Sequence, residues 1–280
     1  VAAGASAAAK ARRVDEHAQI TLFERGPYVS FANCGLPYYI GGEIADRGQL
    51  FLQTPEGFAS RFRVTVHTRH EVARIDRAAK RVEVRRLESG DVFTEPYDAL
   101  ILAPGAGAIV PVLPGVNASN LFTIKTVPDS DAIRAFIDRA HPARAVVIGA
   151  GFIGLEAAEA LARRGLAVTV GELQPQVLPP FDPDMARFVQ QQLEAAGIRV
   201  ILGDGLKAFH GAPRATEVEL QSGRRLPMDL AILSIGVRPE LQLAKDAGLR
   251  IGEAGGIAVN DRQQTSDPDI YAAGDAAEVV

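Results

Sequence analysis

The chain has 280 residues, 47% of them hydrophobic and 23% charged, so it can bury a large core and is not a disordered protein. Its net charge of −4 gives no general attraction to nucleic acid or to an anionic membrane, and no apolar run approaches the roughly 18 residues that cross a bilayer. With a single cysteine no intrachain disulfide can form, which favours a reducing, cytoplasmic location.

The first third of the chain predicts half of a nucleotide-binding unit followed by a meander. Gly4 opens an Ala-rich helix, and a strand over 20–23 ends at Glu24, twenty residues after Gly4. An acid at that distance from a glycine turn meets a ribose in dinucleotide-binding units. Between 64 and 102, short alternating strands with turn signals predict an antiparallel meander. The Pro- and Gly-rich stretch 104–115 then predicts a crossing between domains.

A complete dinucleotide fingerprint follows near the middle of the chain. The strand 145–149 runs into the turn G-A-G-F-I-G, and residues 152–164 have helical spacing. The three glycines of this turn are Gly149, Gly151 and Gly154. They permit a tight turn, a close approach of a pyrophosphate and a close packing of helix on strand. Glu172 ends the next strand, where a carboxylate meets ribose hydroxyls and repels a 2′-phosphate, which favours NADH over NADPH.

The last part of the chain contains one more helix and a terminal loop motif. Asp182 and Pro183 give a helix N-cap followed by Pro at the first position, and Gly197 closes that helix. Near the C-terminus, T-S-D-P-D-I-Y-A-A-G-D predicts a short strand that leads into a loop at Gly274 and Asp275. The acid in this loop either accepts hydrogen bonds from a sugar-like hydroxyl chain or belongs to an ordinary turn.

Together these features carry a family resemblance. Two dinucleotide units, A-P-G at 103–105, G-V-R-P at 236–239 and the G-D loop at 274–275 resemble the FAD-dependent pyridine nucleotide-disulfide oxidoreductases. The more specific run S-F-A-N-C-G-L-P-Y-Y-I-G-G, at 30–42, looks like the single-cysteine branch of that family. The branch contains coenzyme A-disulfide reductases, persulfide reductases, and NADH oxidases and peroxidases. The resemblance covers essentially the whole chain.

The resemblance implies an α/β fold with two Rossmann-like, three-layer dinucleotide-binding domains and an antiparallel β-meander. The NAD domain is expected to be inserted in the FAD domain. The implied ranges are 1–113 for the FAD-binding domain, 114–245 for the NAD(P)H-binding domain and 246–280 for the return to the FAD-binding domain. Family members begin with a strand and a glycine-rich turn and end with a dimerisation domain. We therefore expect truncation at both ends and a homodimer in the full-length protein.

The resemblance also assigns residues to two cofactors. FAD is expected against Gly4, Glu24, Ala103, Gly105, Gly274 and Asp275. Of these, Glu24 would bind the adenosine ribose and Asp275 the ribityl-phosphate region. NADH, with NADPH as the other possibility, is expected against Gly149, Gly151, Gly154, Glu172 and Gly236. Glu156, just after the glycine turn, either lines the nicotinamide side of the flavin or is an ordinary helix acid.

Cys34 is the predicted catalytic residue. Two-cysteine members of the superfamily carry a C-x-x-x-x-C pair, but here Tyr39 stands at the second position. Electrons must therefore reduce a bond between Cys34 and a group from outside the chain: a small thiol, a persulfide sulfur or the oxygen of a sulfenic acid. Asn33 and Cys34 precede a predicted short helix, whose N-terminus favours a thiolate.

Substrate contacts are expected on the first helix and just before Cys34. Ser6, Lys10 and Arg13 share one helix face by their spacing, which by itself is typical of a solvated face. The resemblance to coenzyme A-disulfide reductases implies instead that this face binds coenzyme A, together with Ser30 and Asn33. Arg61 is a weaker candidate for a phosphate contact. The five histidines show no metal-ligand spacing, so we expect no metal site.

We therefore expect an FAD-dependent NAD(P)H oxidoreductase that reduces coenzyme A disulfide or a related small disulfide or persulfide through Cys34. The alternative is an NADH oxidase or peroxidase that cycles Cys34 through a sulfenic acid and uses oxygen or peroxide. Two further possibilities are an electron-transfer flavoprotein of the ferredoxin-reductase type and an inactive binding module. No nucleic acid or membrane partner is expected.

Overall fold

Helices and short strands alternate along the chain, as the sequence predicts for an α/β protein. A computed structural model describes residues 1–280. The α-helices are α1 (Ala2–Val14), α2 (Gly35–Gly41), α3 (Pro55–Phe62), α4 (Val127–Ala140), α5 (Phe152–Arg163), α6 (Pro183–Ala195) and α7 (Gln242–Asp246), and a 3₁₀ turn spans Arg47–Leu50. The strands are β1 (Thr21–Glu24), β2 (Ser30–Phe31), β3 (Phe51–Gln53), β4 (Thr65–Thr68), β5 (His70–Asp76), β6 (Arg81–Arg86), β7 (Val92–Pro96), β8 (Leu100–Leu102), β9 (Ala106–Ala108), β10 (Leu121–Phe122), β11 (Arg144–Ile148), β12 (Ala167–Gly171), β13 (Arg199–Ile201), β14 (Leu206–His210), β15 (Glu217–Leu220), β16 (Arg225–Pro227), β17 (Leu230–Leu233), β18 (Val237–Pro239), β19 (Ile257–Val259), β20 (Ile270–Ala272) and β21 (Ala277–Val279). No helix is both long enough and apolar enough to cross a membrane.

The chain divides into two compact units. The first unit comprises 1–31, 51–107 and 238–280, and the second comprises 32–50 and 108–237. Residues 32–50 belong to the second unit because α2 packs against α4 and α5. The sequence analysis instead placed these residues in the N-terminal FAD-binding range. Which range binds which cofactor stays a prediction.

The second unit is built on a five-stranded parallel sheet in the order β10-β17-β11-β12-β13. Its two central strands read R-A-V-V-I and L-A-I-L, and nearly every side chain in them is buried. Such continuous apolar runs are typical of parallel strands that are covered on both faces. The antiparallel sheet β14-β15-β16 contributes Phe209, Val218 and Leu226 to a common core with Val146 and Ile148 of β11.

The first unit combines parallel strand pairs with an antiparallel meander. Strands β5, β6 and β7 form the meander in the predicted region. The prediction that the whole stretch 64–102 is antiparallel is wrong at both ends: β4 pairs in parallel with β1, and β8 pairs in parallel with β20. The end strands carry core side chains such as Leu102, which packs with Ile257 and Ile270, so burial and not local turn chemistry decides their partners.

Helix boundaries agree closely with the sequence signals. Helix α5 is followed by Gly165 with φ +84°, and α6 by Gly197 with φ +80°. This left-handed conformation suits glycine at a helix end. Asp182 occupies the predicted N-cap of α6, although its side chain makes no capping hydrogen bond. Helix α4 has a stronger start, because Thr126 and Asp129 form a reciprocal capping box.

Candidate functional site

Each of the three glycines in the glycine turn of the second unit has a different structural reason to be a glycine. Gly149 has φ +102°, and a Cβ there would lie 2.2 Å from the carbonyl oxygen of Ser234. A Cβ on Gly154 would lie 2.0 Å from the carbonyl oxygen of Gly149, so helix and turn pack without a side chain between them. A Cβ on Gly151, at the N-cap of α5, would meet no protein atom within 4 Å. The backbone is therefore open at the position where a pyrophosphate has to approach.

Glu172 holds this turn in place. Its side chain follows β12 and is only 8% exposed. One carboxylate oxygen accepts the backbone N–H of Ala150, between the first two glycines, at 2.6 Å, and the other accepts the N–H of Gln174 at 2.8 Å. Ionised acceptors make the stronger hydrogen bonds in proteins. The carboxylate thus fixes the glycine turn in addition to standing where a ribose hydroxyl can be bound.

The turn lies at the switch point of the parallel sheet. Strand β11 has β12 on one side and β17 on the other: the chain runs outward from β11 through β12 to β13 and later returns to β17 on the opposite side of β11. Ligands of open α/β sheets bind at the carboxyl ends of the strands at such a point. Gly236 follows β17 at this edge with φ +111°, and a Cβ there would lie 3.5 Å from the Cδ1 of Ile109. Free N–H groups, open space and a carboxylate together suit a dinucleotide.

Three of the residues that the resemblance assigns to FAD meet around the start of α1 in the first unit. A Cβ on Gly4 of α1 would lie 3.4 Å from the Cβ of Ala103, directly after β8. A Cβ on Gly274, after β20, would lie 2.8 Å from the Cβ of Ala3, and Gly274 has φ +83°. Gly105 has φ +73° and open space around it. The parallel pair β8 and β20 therefore delivers two loops to the start of α1.

Two predicted acids complete the description of the first unit. Glu24 ends β1, as predicted, and its carboxylate accepts the N–H of Gly26 at 2.7 Å, which fixes the turn after the strand. Helix α1 packs against β1. Asp275 is exposed in the loop that follows β20. The strand–loop arrangement predicted from T-S-D-P-D-I-Y-A-A-G-D is confirmed.

Cys34 directly precedes α2, so the predicted helix start is confirmed. Its side chain is exposed. Asn33 is exposed as well, whereas Ser30 is buried to 8% exposure in β2. An exposed sulfur at the start of a helix is accessible to a disulfide or an oxidant. Because the sequence has no other cysteine, that bond can form only with a group from outside the chain.

The predicted polar face of α1 is present. Ser6, Lys10 and Arg13 are all exposed, while Ala5 and Ala8 face the core. The guanidinium of Arg13 lies 5.9 Å from the ring centre of Phe62 at the end of α3. Arg61 lies 5.7 Å from the same ring. Two cations therefore lie beside one aromatic ring, which suits an anionic ligand with a planar group.

Arg12 has a structural role that its position next to Arg13 does not reveal. Its guanidinium donates to the backbone carbonyls of Phe62, Asp15, Glu16, Ala18 and Arg63, at 2.7–3.1 Å. These carbonyls belong to the ends of α1 and α3 and to the turn after α1. Carbonyls at helix ends have no partner within their own helix, so the side chain ties two helix ends together.

Sequence reasoning missed several groups around the two sites. Ser234 and Ala150 act through their backbone atoms, so no side-chain signal exists for either. Phe152 is 59% exposed beside the glycine turn, and its ring centre lies 5.8 Å from that of Phe181. No sequence pattern indicated that these two rings would lie together.

Glu156 and the histidines can also be placed. Burial, with a smaller contribution from Glu159, raises the pKa of Glu156, which is half-buried on α5. His67 stacks on Phe23 at a centroid distance of 5.4 Å, and His210 lies 2.7 Å from a carboxylate oxygen of Glu219. No group of three or more His, Cys, Asp or Glu side chains is arranged to hold a metal ion.

Comparison with known proteins decides the family. Residues 2–280 match the family described as pyridine nucleotide-disulphide oxidoreductase. The chain belongs to this family. The resemblance read from the C-G-L-P-Y-Y run and the glycine turns is thereby confirmed, and the fold is the mixed α/β fold of such oxidoreductases.

Among relatives of this chain, an NADH oxidase of Methanocaldococcus jannaschii is 36% identical over 281 residues, with 100% of this chain and 62% of the relative covered. A coenzyme A disulfide reductase of Staphylococcus aureus is 35% identical over 277 residues, with 99% and 62% covered. The crystal structure of reduced CoADR-RHD from Bacillus anthracis superposes with a TM-score of 0.95 at 46% identity and covers 98% of this chain and 49% of that chain. The chain thus spans 62% of the length of the curated relatives it matches.

Proposed function

We propose that the full-length protein is an FAD-dependent NAD(P)H oxidoreductase that reduces coenzyme A disulfide, or a related small disulfide or persulfide, through Cys34. The observation that carries this proposal is the exposed Cys34 at the start of α2 in a chain without a second cysteine. Since Cys34 has no second cysteine to pair with within residues 1–280, we expect the sulfur bond to be reduced to include an external group. The likeness to a coenzyme A disulfide reductase over 99% of this chain supports a thiol of that class.

The nicotinamide cofactor is assigned to the second unit. Gly149, Gly151, Gly154 and Gly236 would line its phosphates, and Glu172 would accept the ribose hydroxyls. The residues fit the group, because the space at Gly151 is free of protein atoms where phosphate oxygens require it. The carboxylate of Glu172 favours NADH, since it would repel the additional phosphate of NADPH.

FAD is assigned to the first unit. Gly4, Ala103, Gly105, Gly274 and Glu24 would surround it, and Asp275 would bind its ribityl-phosphate region. The fit rests on the side-chain-free backbone that these residues present around the start of α1. The NAD domain would then interrupt the FAD domain along the chain, with the ranges 1–113, 114–245 and 246–280. When bound, the two cofactors would supply the pair of electrons for the reaction.

The chain itself would supply the nucleophile. The Cys34 thiolate attacks one sulfur of the external disulfide, the disulfide bond breaks, and one thiolate leaves as Cys34 becomes part of a mixed disulfide. Two electrons from NADH and one proton then convert the mixed disulfide into the Cys34 thiolate and the second free thiol. The exposure of Cys34 permits the first step. In each cycle the protein forms one covalent bond, between the sulfur of Cys34 and a substrate sulfur.

Recognition of the substrate is assigned to the exposed polar face of α1. Ser6, Lys10 and Arg13 would bind the phosphates of coenzyme A, and Ser30 and Asn33 would contact the part near the sulfur. The two cations beside the ring of Phe62 suit a phosphorylated nucleotide.

Reducing conditions in the cytoplasm would keep Cys34 in its thiol form, and the full-length protein is proposed to act there as a homodimer.

The test is intact-protein mass spectrometry of the full-length, FAD-loaded enzyme. As purified, the wild type is expected to carry an adduct of the mass of coenzyme A that dithiothreitol removes, and Cys34→Ser is expected to carry none. Loss of the adduct in Cys34→Ser would place the adduct on Cys34. Absence of the adduct, combined with undiminished turnover of coenzyme A disulfide by Cys34→Ser, would overturn the proposal.

An oxidase that uses the same cysteine is the second candidate. The exposed Cys34 is accessible to peroxide, and an NADH oxidase is 36% identical over the whole chain. In this case Cys34 would alternate between thiolate and sulfenic acid, and peroxide would be reduced to water. Rapid NADH consumption driven by oxygen or peroxide, with no response to coenzyme A disulfide, would favour this function over the first.

A further inference from the structure

A network of charged and aromatic side chains anchors α2 within the second unit. Tyr39, on α2, donates its hydroxyl to Asp131 of α4 at 3.2 Å. The same carboxylate accepts Nε of Arg47 at 2.9 Å on one oxygen and Nη2 at 2.7 Å on the other. Arg47 belongs to the 3₁₀ turn that follows α2. One side chain of α4 thus holds both α2 and the segment after it.

A second cation reinforces this anchor. The guanidinium of Arg134, one turn after Asp131, lies 4.5 Å from the ring centre of Tyr39. It also donates to the carbonyl of Tyr39 at 3.2 Å and to that of Ile44 at 3.4 Å. Beside it, Arg164 donates to the carbonyl of Ile40 at 3.2 Å. The last carbonyls of α2 therefore have charged partners, which compensate for the missing partners at a helix C-terminus.

The helix depends on these contacts because it is too short to be stable by itself. It has 7 residues and no side-chain hydrogen bond at its N-cap. Isolated helices of that length are not stable in water, so tertiary contacts have to fix it. A Cβ on Gly41 would lie 3.3 Å from Ala160 of α5, which shows how closely the opposite side packs. Cys34 immediately precedes this helix, so its position depends on that of α2.

The two hydrogen-bonding groups have complementary protonation states. The hydrogen bonds from Arg47 lower the pKa of Asp131, with burial opposing the shift. Burial, followed by the hydrogen bond to Asp131, raises the pKa of Tyr39. The carboxylate therefore stays ionised and the phenol stays a donor across the neutral range.

We propose that Asp131 is a positioning residue for Cys34, which it serves by holding Tyr39 and Arg47 and so fixing the helix that Cys34 precedes. The inference rests on the proposed function of Cys34. Tyr39 stands at the position that corresponds to the second cysteine of the C-x-x-x-x-C pair, and here its side chain contacts Asp131 and Arg134. A nucleophile must meet a disulfide sulfur in line with the breaking bond. A small displacement of Cys34 therefore slows the reaction with the disulfide without changing the KM for NADH.

The test compares Asp131→Asn with Asp229→Asn in the full-length, FAD-loaded enzyme. Asp229 is a matched control, because it also pairs with an arginine, at 3.0 Å, and its side chain is 29% exposed against 33% for Asp131. Asp131→Asn is expected to slow the formation of the Cys34–coenzyme A adduct, and kcat with coenzyme A disulfide, by about tenfold. The KM for NADH and the reduction of ferricyanide, which needs no cysteine, should stay within about twofold of the wild type.

A structural readout accompanies the kinetics. Backbone amides of α2 are expected to exchange hydrogen faster in Asp131→Asn but not in Asp229→Asn, as measured by mass spectrometry. Tyr39→Phe keeps the ring under Arg134 and removes only the hydroxyl, so it provides the test if Asp131→Asn does not fold, with an expected loss of about threefold in kcat. Adduct formation as fast as in the control, or an equal loss of ferricyanide reduction, would overturn the positioning role. A wild type that forms no adduct would instead overturn the proposed function.

Discussion

The carboxylate of Glu172 accepts a hydrogen bond of 2.6 Å from the backbone N–H of Ala150, inside the glycine turn. Its other oxygen accepts the N–H of Gln174 at 2.8 Å. In the Glu172→Gln variant, the amide has one oxygen and one NH₂ group, so one of the two N–H groups loses its acceptor. We expect a loss of about 1–3 kcal/mol in the free energy of unfolding and about a tenfold rise in the Kd for NADH.

The control for this prediction is Asp204→Asn. Asp204 is also 8% exposed, and it accepts the N–H of Ser222 at 2.9 Å and its hydroxyl at 2.6 Å. That variant should lose stability but keep its affinity for NADH, since its carboxylate does not hold the glycine turn. Urea unfolding and NADH titration of both variants measure the two effects. An unchanged Kd in Glu172→Gln would contradict the role of this residue in the nucleotide site.

The glycines of the turn provide a second prediction, because they should separate folding from binding. In Gly151→Ala the new methyl group meets no protein atom within 4 Å, so stability should change by less than about 0.5 kcal/mol. The same methyl group would occupy the space assigned to the pyrophosphate, and the KM for NADH should rise by about tenfold. Comparable KM values for Gly151→Ala and the wild type would place the phosphates elsewhere.

Gly149→Ala is the matched variant for this comparison. Its Cβ would lie 2.2 Å from the Ser234 carbonyl oxygen, and φ is +102°, which an L-residue rarely adopts. The nearest atoms are backbone atoms of Ser234 and Ile235, so no side-chain movement can relieve the clash. We therefore expect the free energy of unfolding to fall by about 2–4 kcal/mol, an effect that denaturant unfolding measures without any ligand.

Much of the local structure at the candidate nucleotide site was predictable from sequence because its determinants are local. The turn at Gly149–Gly154, the end of α5 before Gly165 and the start of α2 after Cys34 each depend on a few neighbouring residues. Residue types with special backbone preferences occupy all of these positions. Pattern and composition therefore placed the glycines, the helix and the acid of Glu172 correctly along the chain.

What the sequence left open depends on contacts between distant residues. Tyr39 and Asp131 are 92 positions apart, and although Tyr39 lies in the run at 30–42, Asp131 lies in no motif, so no pattern indicates their contact. The parallel partner of β4 is β1, although the short strands after it are antiparallel, because hydrophobic packing and not the turn decides this pairing. Arg12 and Arg13 are adjacent and chemically identical. Only their packing shows that Arg12 binds backbone carbonyls whereas Arg13 is exposed beside Phe62.

That difference between neighbouring arginines gives a third prediction. Arg12→Ala removes a donor to five backbone carbonyls and should lower the free energy of unfolding by about 1–3 kcal/mol. Arg13→Ala should leave stability within about 0.5 kcal/mol, because the side chain is exposed. It should raise the KM for coenzyme A disulfide by about fivefold, an effect that weakens at high salt. A small uncharged disulfide serves as the substrate control and should show no change.

Glu156 supports a final prediction, on the pH dependence of stability. Burial raises its pKa in the folded protein above the ordinary value of 4.5. The folded state therefore holds this proton more tightly than the unfolded state, so stability falls as the pH rises from about 4.5 through the raised pKa. Glu156→Gln cannot ionise. It should be more stable than the wild type at pH 7–8, by an amount that shrinks toward pH 4.5, in thermal unfolding measured across this range.

Glu194→Gln on α6 is the control, because its carboxylate is exposed and its replacement should change stability by less than about 0.5 kcal/mol at any pH. A carboxylate that weakens the fold at neutral pH is typical of a group retained for a binding or catalytic task. We therefore expect Glu156→Gln to combine its gain in stability with a lower kcat for NADH oxidation. A variant that gains stability and keeps full turnover would show that Glu156 is an ordinary helix acid, whereas a variant without the gain would contradict the raised pKa itself.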